Sequence, residues 1–136
     1  MAIILDADVI IAGERGAFDI RSWLLSQPEE RFEIAVITVA ELWHGVQRAS
    51  GQHRTQRERY LRVIIGALPI IPYTEQTAYE HARVWAELEA AGKMIGFYDV
   101  VVAATALERG SAIASFNRKH FSHVKALVLI EPKQIA

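Results

Sequence analysis

An unbroken apolar triplet, Ile3-Ile4-Leu5, runs directly into a carboxylate at Asp6. A second carboxylate follows at Asp8, and then three β-branched residues, Val9-Ile10-Ile11. A short continuous apolar run suits a strand buried on both faces, as in the middle of a parallel sheet. Ligands of such sheets gather beyond the carboxyl ends of the strands. Asp6 therefore stands where a parallel sheet does its chemistry, unless the strand merely surfaces there and turns, Asp being a common turn residue. The acidic residues further along decide between the two.

Strand-like and helix-like stretches alternate through the rest of the chain. Ala12-Gly13 and Gly16 break the opening pattern, and a short helix runs from Ile20 to Ser26, closed by Pro28. Phe32-Glu33-Ile34-Ala35-Val36-Ile37 reads as a second strand, mostly apolar and β-branched. Thr38, with Glu41 three residues on, has the form of a capping box. The helix it opens carries Val39, Leu42, Trp43 and Val46 at helical spacing and ends near Ser50-Gly51. Another helix, from about Thr55, places Leu61, Ile64, Ile65 and Leu68 on one face. Pro69-Ile70-Ile71-Pro72 is a short strand pinned between prolines, which belongs at a sheet edge.

Thr74 caps a long helix with Ala78, Ala82, Trp85 and Leu88 inward, stopped at Gly92. Gly96 precedes a helix from Tyr98 to Arg109, ended by Gly110; its run Val100–Ala104 is apolar on every side and predicts a buried helix. Ser111–Ser115 reads as a strand, Asn117–Phe121 as a turn of helix, and Ala126–Ile130 as the last strand. This alternation predicts an α/β three-layer sandwich around a central, mainly parallel sheet of about five strands, joined by right-handed crossovers.

The 136 residues suffice for one domain, 1–136, with a real core, and 51% hydrophobic with 23% charged residues is a globular balance. With no cysteine, neither disulfides nor thiolate zinc ligands are available, and a cytoplasmic home follows naturally. The chain opens on no secretory leader and contains no membrane-length apolar run, so neither export nor a membrane partner is expected. A formal net charge of −1 says little about partners. Its distribution says more: Arg48, Arg54, Arg57, Arg59 and Arg62 form one basic stretch, and Arg118, Lys119, Lys125 and Lys133 another. Such stretches either meet phosphate or form a solvated helix face.

Three acids occupy equivalent positions in this scheme. Asp6 ends strand one, Glu41 lies in the first turn of the helix after strand two, and Asp99 lies in the first turn of the buried helix. Asn117 follows strand four, and all four should project over the same sheet edge. Taken singly, Glu41 is half of a capping box and Asp99 complements a helix dipole, worth about 0.3–1 kcal/mol. Together they repel, and such an arrangement persists best around a cation. Hard oxygen donors without Cys or a paired His motif select Mg²⁺ or Mn²⁺ over zinc. A metal held by carboxylates suits phosphoryl chemistry. His44, His53, His81, His120 and His123 share no metal-ligand spacing, and His44, one turn beyond Glu41, reads as a surface or packing residue.

Four stretches then carry a resemblance. They are Leu5-Asp6-Ala7-Asp8-Val9-Ile10, Thr38-Val39-Ala40-Glu41-Leu42-Trp43-His44-Gly45, Ile95-Gly96-Phe97-Tyr98-Asp99 with the apolar run to Ala106, and Ser115-Phe116-Asn117-Arg118-Lys119-His120-Phe121. In this order and spacing they resemble the successive motifs of PIN-domain ribonucleases, and most closely the VapC toxins of bacterial toxin–antitoxin pairs. The resemblance implies a PIN-like fold with strand one central and a Mg²⁺- or Mn²⁺-dependent endoribonuclease. It makes Asp6, Asp99 and Glu41 the metal ligands, with Asp6 and Asp99 the primary pair and Asn117 in support. It also implies an RNA substrate such as transfer or ribosomal RNA, a cognate VapB-type antitoxin and a homodimer.

Arg118 and Lys119, beside Asn117, are candidate contacts to the RNA backbone. Two positions depart from the family pattern. Asp8 stands where Asn is frequent and either adds charge or caps the turn; Asn117 stands where many members carry a fourth acid. Haloacid-dehalogenase-like phosphatases offer an alternative, with Asp6 as nucleophile, Asp8 as general acid and Thr38 on the phosphate. That pattern wants an acid directly after Gly96, where this chain has Phe97, and it gives Glu41 no role. A non-catalytic RNA- or protein-binding module is the third reading.

Overall fold

A computed structural model describes residues 1–134; the last two residues of the expected 1–136 domain lie outside the described residues. Its centre is the strand β1 (Ala2–Leu5). On one side lie β2 (Arg31–Ala35) and β3 (Ile70–Ile71), on the other β4 (Ala112–Ala114) and β5 (Leu129–Ile130). The sheet order is β3-β2-β1-β4-β5, every pairing is parallel, and β1 is central as expected. Leu5 pairs with Ala114, so Asp6 and Ser115 leave two adjacent strands side by side.

Alternation along β1 divides the core. Ile3 and Leu5 pack against α1 (Ala7–Glu14), α2 (Ile20–Leu25), α3 (Val36–Arg48) and α4 (Gly51–Gly66), with Trp23, Leu42, Val46 and Leu61. Ile4 points the other way, into α5 (Glu75–Ala91), α6 (Phe97–Arg109) and α7 (Arg118–Phe121), with Val84, Leu88, Val102 and Phe121. The result is the expected three-layer sandwich. Every residue from Val100 to Ala106 is buried, as the all-round apolar run required. Gly92 and Gly110 end α5 and α6 in the left-handed conformation that glycine adopts without steric cost. Thr74 caps α5, its hydroxyl accepting from the Thr77 amide while the Thr77 hydroxyl accepts from the Thr74 amide.

Several sequence-based expectations fail locally. Strand one ends before Asp6 as expected, but the β-branched Val9-Ile10-Ile11 that follows forms a helix not expected from the sequence: Asp6 caps α1, Asp8 complements its dipole, and Ala7, Val9 and Ile10 bury one face. Tertiary burial here outweighs β propensity. At Gly13 of this helix a Cβ would come within 2.6 Å of the Tyr60 hydroxyl, so the approach of α4 requires glycine. That hydroxyl donates to the Ile10 carbonyl at 2.8 Å.

β2 stops at Ala35 rather than Ile37, and α3 starts at Val36 with Ala35 as an N-cap lacking a side-chain hydrogen bond. The Thr38–Glu41 capping box therefore does not form; Thr38 is fully buried along the Thr38-Leu42-Val46 face, and Glu41 falls in the second turn, not the first. α4 begins at Gly51, ahead of Thr55. On α5 the inward positions are Thr77, Val84 and Leu88, while Ala82 and Trp85 are exposed, because the helix presents a face rotated from the alanine stripe. β5 covers only Leu129–Ile130, since Ala126 sits at φ 67°, a left-handed turn no strand can pass through.

Candidate active site

Four carboxylates converge beyond the carboxyl ends of β1 and β4. Asp6 is held hardest. Its Oδ1 accepts from the Ala7 amide at 2.9 Å and its Oδ2 from the Ser115 hydroxyl at 2.8 Å, and the residue is only 5% exposed. Burial, then the charge of Asp8, push its carboxyl up to about 7, with Asp99 adding to the rise and the Ser115 hydrogen bond opposing it.

Asp8, one residue into α1, accepts from the Phe116 amide at 3.1 Å and stands 3.3 Å from the Ser115 hydroxyl. Its carboxyl is also raised, chiefly by burial. Asp8 thus adds charge to the site and ties α1 to the segment after β4. Glu41 reaches in from α3, its carboxyl raised first by burial and then by the charges of Asp99 and Asp8. Asp99, in the first turn of α6, is the common electrostatic neighbour of Asp6 and Glu41.

The four residues expected from sequence thus meet over one edge. Asp6 and Glu41 both feel the charges of Asp8 and Asp99, and Asn117, at the start of α7, is tied in when its amide donates to Ser115 Oγ at 2.9 Å. Sequence reasoning missed Ser115 and His120. Ser115 links three of these positions through one hydroxyl, donating to Asp6, lying near Asp8 and accepting from Asn117. His120 Nδ1 lies 3.1 Å from Asp99 Oδ2, and the Asn117 side-chain amide stands 2.8 Å from the same nitrogen. The signal was present as Asn117 and His120 one helical turn apart. His44 is exposed, as expected of a surface residue.

Among the described residues, no group of three or more His, Asp or Glu side chains stands close enough together to hold one metal ion. The fit to a cation rests on donor chemistry instead. Hard carboxylate oxygens from four residues gather at one edge, those of Asp6, Asp8 and Glu41 partly desolvated, and a divalent cation there would offset the charge that burial and repulsion make costly. Asp6, Asp99 and Glu41, with Asp8 adjoining, are a fitting donor set for Mg²⁺ or Mn²⁺.

The two basic stretches separate. Arg57 is part-buried in an ion pair with Glu14 of α1 at 2.9 Å, and Arg62 pairs with Glu58 and lies 4.9 Å over the Trp43 ring, so both are engaged within the chain. Arg118 and Lys119 are exposed on α7, next to Asn117.

The chain belongs to the PIN-domain family, whose model matches residues 3–127. Among known proteins it is similar to Ribonuclease VapC10 of Mycobacterium tuberculosis, with 30% identity over 120 residues, 88% of this chain and 85% of that one. It is also similar to Ribonuclease VapC1 of Rickettsia felis, with 28% identity over 131 residues, 96% of each chain. The fold matches the solved structure of VapBC2 from Rickettsia felis bound to a DNA fragment from its promoter, with a TM-score of 0.88, 23% identity, and coverage of 96% and 98% of the two chains.

Proposed function

We propose that this chain is an endoribonuclease of the VapC type, the toxin of a toxin–antitoxin pair, hydrolysing RNA phosphodiester bonds in the cytoplasm with Mg²⁺ or Mn²⁺. The observation that carries the reading is the clustered acids: Asp6 and Glu41 both feel the charges of Asp99 and Asp8 at the carboxyl edge of a parallel sheet. Asp6 and Asp99 would hold the ion, with Glu41 holding a second one or orienting the attacking water. A bound divalent ion supplies Lewis acidity and a water acidic enough to attack at neutral pH. The chain's own part is to fix these oxygens. Ser115 holds Asp6, α1 presents Asp8, and Asn117 supports a ligand or the water by hydrogen bonding.

The substrate is a single-stranded loop of a structured RNA, transfer or ribosomal RNA by family analogy, where bases can be splayed out. Cleavage should leave a 5′-phosphate and a 3′-hydroxyl, stop in EDTA and return with Mn²⁺. End-group analysis of the cut RNA checks this; full activity in EDTA or a 2′,3′-cyclic phosphate would sink the reading. RNA binding without cleavage under every metal condition would favour the non-catalytic module. The phosphatase alternative is weakened by Thr38, which is fully buried and cannot reach a phosphate, and a covalent aspartyl-phosphate on Asp6 would restore it.

Arg118 and Lys119 hold the RNA backbone in this reading. Replacing both with Ala should weaken binding alike for all sequences. It should also flatten the slope of log affinity against log salt by about 1.4, at ~0.7 per phosphate contact on a single strand. An unchanged slope returns them to the solvent-facing role.

Two apolar surfaces suit the two protein partners. A groove of about 810 Å³ between α2 and α4 has Leu24, Leu25, Val63 and Ile64 among its lining and Arg21 and Arg59 beside them. Apolar side chains with two guanidiniums complement an antitoxin segment carrying apolar residues and carboxylates. A second surface joins Tyr73, His81, Trp85, Phe97 and Tyr98 in ring-to-ring contact and continues over Val36 and Val101. It is aromatic and its lining bears no Asp, Glu, Lys or Arg, which suits burial against a second copy about a twofold axis. Light scattering should give a dimer for the chain alone and a larger complex with antitoxin, with Leu24→Glu abolishing only the second. A monomer at micromolar concentration overturns the dimer, and undiminished antitoxin binding by that variant overturns the groove.

A further inference from the structure

We infer that His120 is a positioning residue for Asp99: its Nδ1–H holds Asp99 Oδ2 and leaves the other carboxylate oxygen to face a divalent cation. This rests on the reading of Asp99 as a metal ligand and adds to it a residue outside the acidic set. The geometry is specific. Nδ1 lies 3.1 Å from Asp99 Oδ2, while Asp99 Oδ1 has no hydrogen-bond partner among the described residues. A carboxylate only accepts hydrogen bonds, so the contact requires the hydrogen on Nδ1. The Asn117 amide, 2.8 Å from the same nitrogen, then turns its oxygen to the ring, because an N–H facing an N–H repels. Asn117 and Asp99 thereby share one Nδ1–H, and the imidazole plane is set from two sides.

The ring is placed by the fold. α7 is a single turn, anchored by the fully buried Phe121 in the core that α6 also lines, and its entry is fixed where the Asn117 amide donates to Ser115 Oγ. His120 thus bridges the segment after β4 to the first turn of α6, the two places that supply Asn117 and Asp99. Groups that orient a ligand in this way, without touching the metal, commonly change its affinity by ten- to a hundredfold.

Asn and Gln substitutions separate this role from others available to a histidine. The amide nitrogen of Asn reproduces the place of Nδ1, and that of Gln the place of Nε2. Mn²⁺ alone is titrated into the full chain without RNA, with free Mn²⁺ followed by electron paramagnetic resonance and folding checked by thermal melts. His120→Ala should bind Mn²⁺ ten- to a hundredfold more weakly than the parent, His120→Gln should resemble it, and His120→Asn should stay within about threefold of the parent. Parent-like binding by His120→Ala overturns the inference, as does rescue by Gln in preference to Asn, which would place the role on Nε2. A parent that binds no Mn²⁺ overturns the metal reading and this inference with it.

Discussion

Asp99→Asn is expected to cut the rate of RNA cleavage by on the order of a hundredfold or more while leaving the fold intact. Each tenfold in rate corresponds to about 1.4 kcal/mol of transition-state stabilisation, so a hundredfold asks for roughly 3 kcal/mol from one ligand's charge. That is a modest demand on a primary ligand to a divalent ion in a partly desolvated site. The substitution nearly conserves shape. Its amide oxygen can still accept from His120 Nδ1, and losing the charge relieves repulsion felt by both Asp6 and Glu41. The melting temperature should therefore hold or rise slightly as activity collapses. Single-turnover cleavage with saturating Mn²⁺, alongside a thermal melt, checks both halves. A variant as active as the parent would remove Asp99 from the chemistry.

The architecture was legible because it rests on patterns that local physics sets. Ile3-Ile4-Leu5 suits burial on both faces inside a parallel sheet, and Val100–Ala104, apolar all round, suits a buried helix. The acids were legible as a set because Asp6 follows a strand, Asp99 opens a helix, and Glu41 comes shortly after a strand on the helix that leaves the same edge. What failed was decided by partners distant in sequence. Val9-Ile10-Ile11 has strand-forming residues, yet the Asp6 cap and burial of Val9 and Ile10 make it helix. The Thr38–Glu41 spacing satisfies the capping-box rule, yet the core takes Thr38 and frees Glu41 to enter the site. In sequence, Ser115 reads as the end of a strand and the start of the fourth motif stretch, with no role of its own. Its role depends on Asp6, 109 residues away, and no local pattern announces that pairing. His120 escaped for a related reason, since its partner Asp99 lies 21 residues back on another helix.

The metal-free protein should lose stability as pH rises from about 4 to 7, and Asp6→Asn should recover much of that loss. The sign follows from the Asp6 carboxyl, raised from its ordinary 3.8 to about 7 by burial and the neighbouring charge of Asp8. Below pH 4 both folded and unfolded chains keep the proton. Between about 4 and 7 the unfolded chain releases it while the folded chain retains it, so the folded state binds more protons and stability falls with rising pH. Above 7 the full cost of a buried charge is in place, at most about 4 kcal/mol for a rise of roughly three pKa units. An Asn at position 6 still caps α1, because Asn serves as well as Asp there. It has one acceptor oxygen where Asp6 uses two, for the Ala7 amide and the Ser115 hydroxyl, and that returns part of the gain. A net stabilisation of about 2 kcal/mol at pH 8 raises the melting temperature by on the order of 5 °C in a chain this size. At pH 4 the parent and variant should melt together. Saturating Mn²⁺ should reverse the order at pH 8, since it stabilises the parent by binding the folded state and finds a weakened site in the variant. Calorimetric melts of both proteins from pH 4 to 8, with and without Mn²⁺, make the comparison. A parent whose stability climbs steadily from pH 4 to 7 without metal would show that Asp6 is not held as a strained, buried acid.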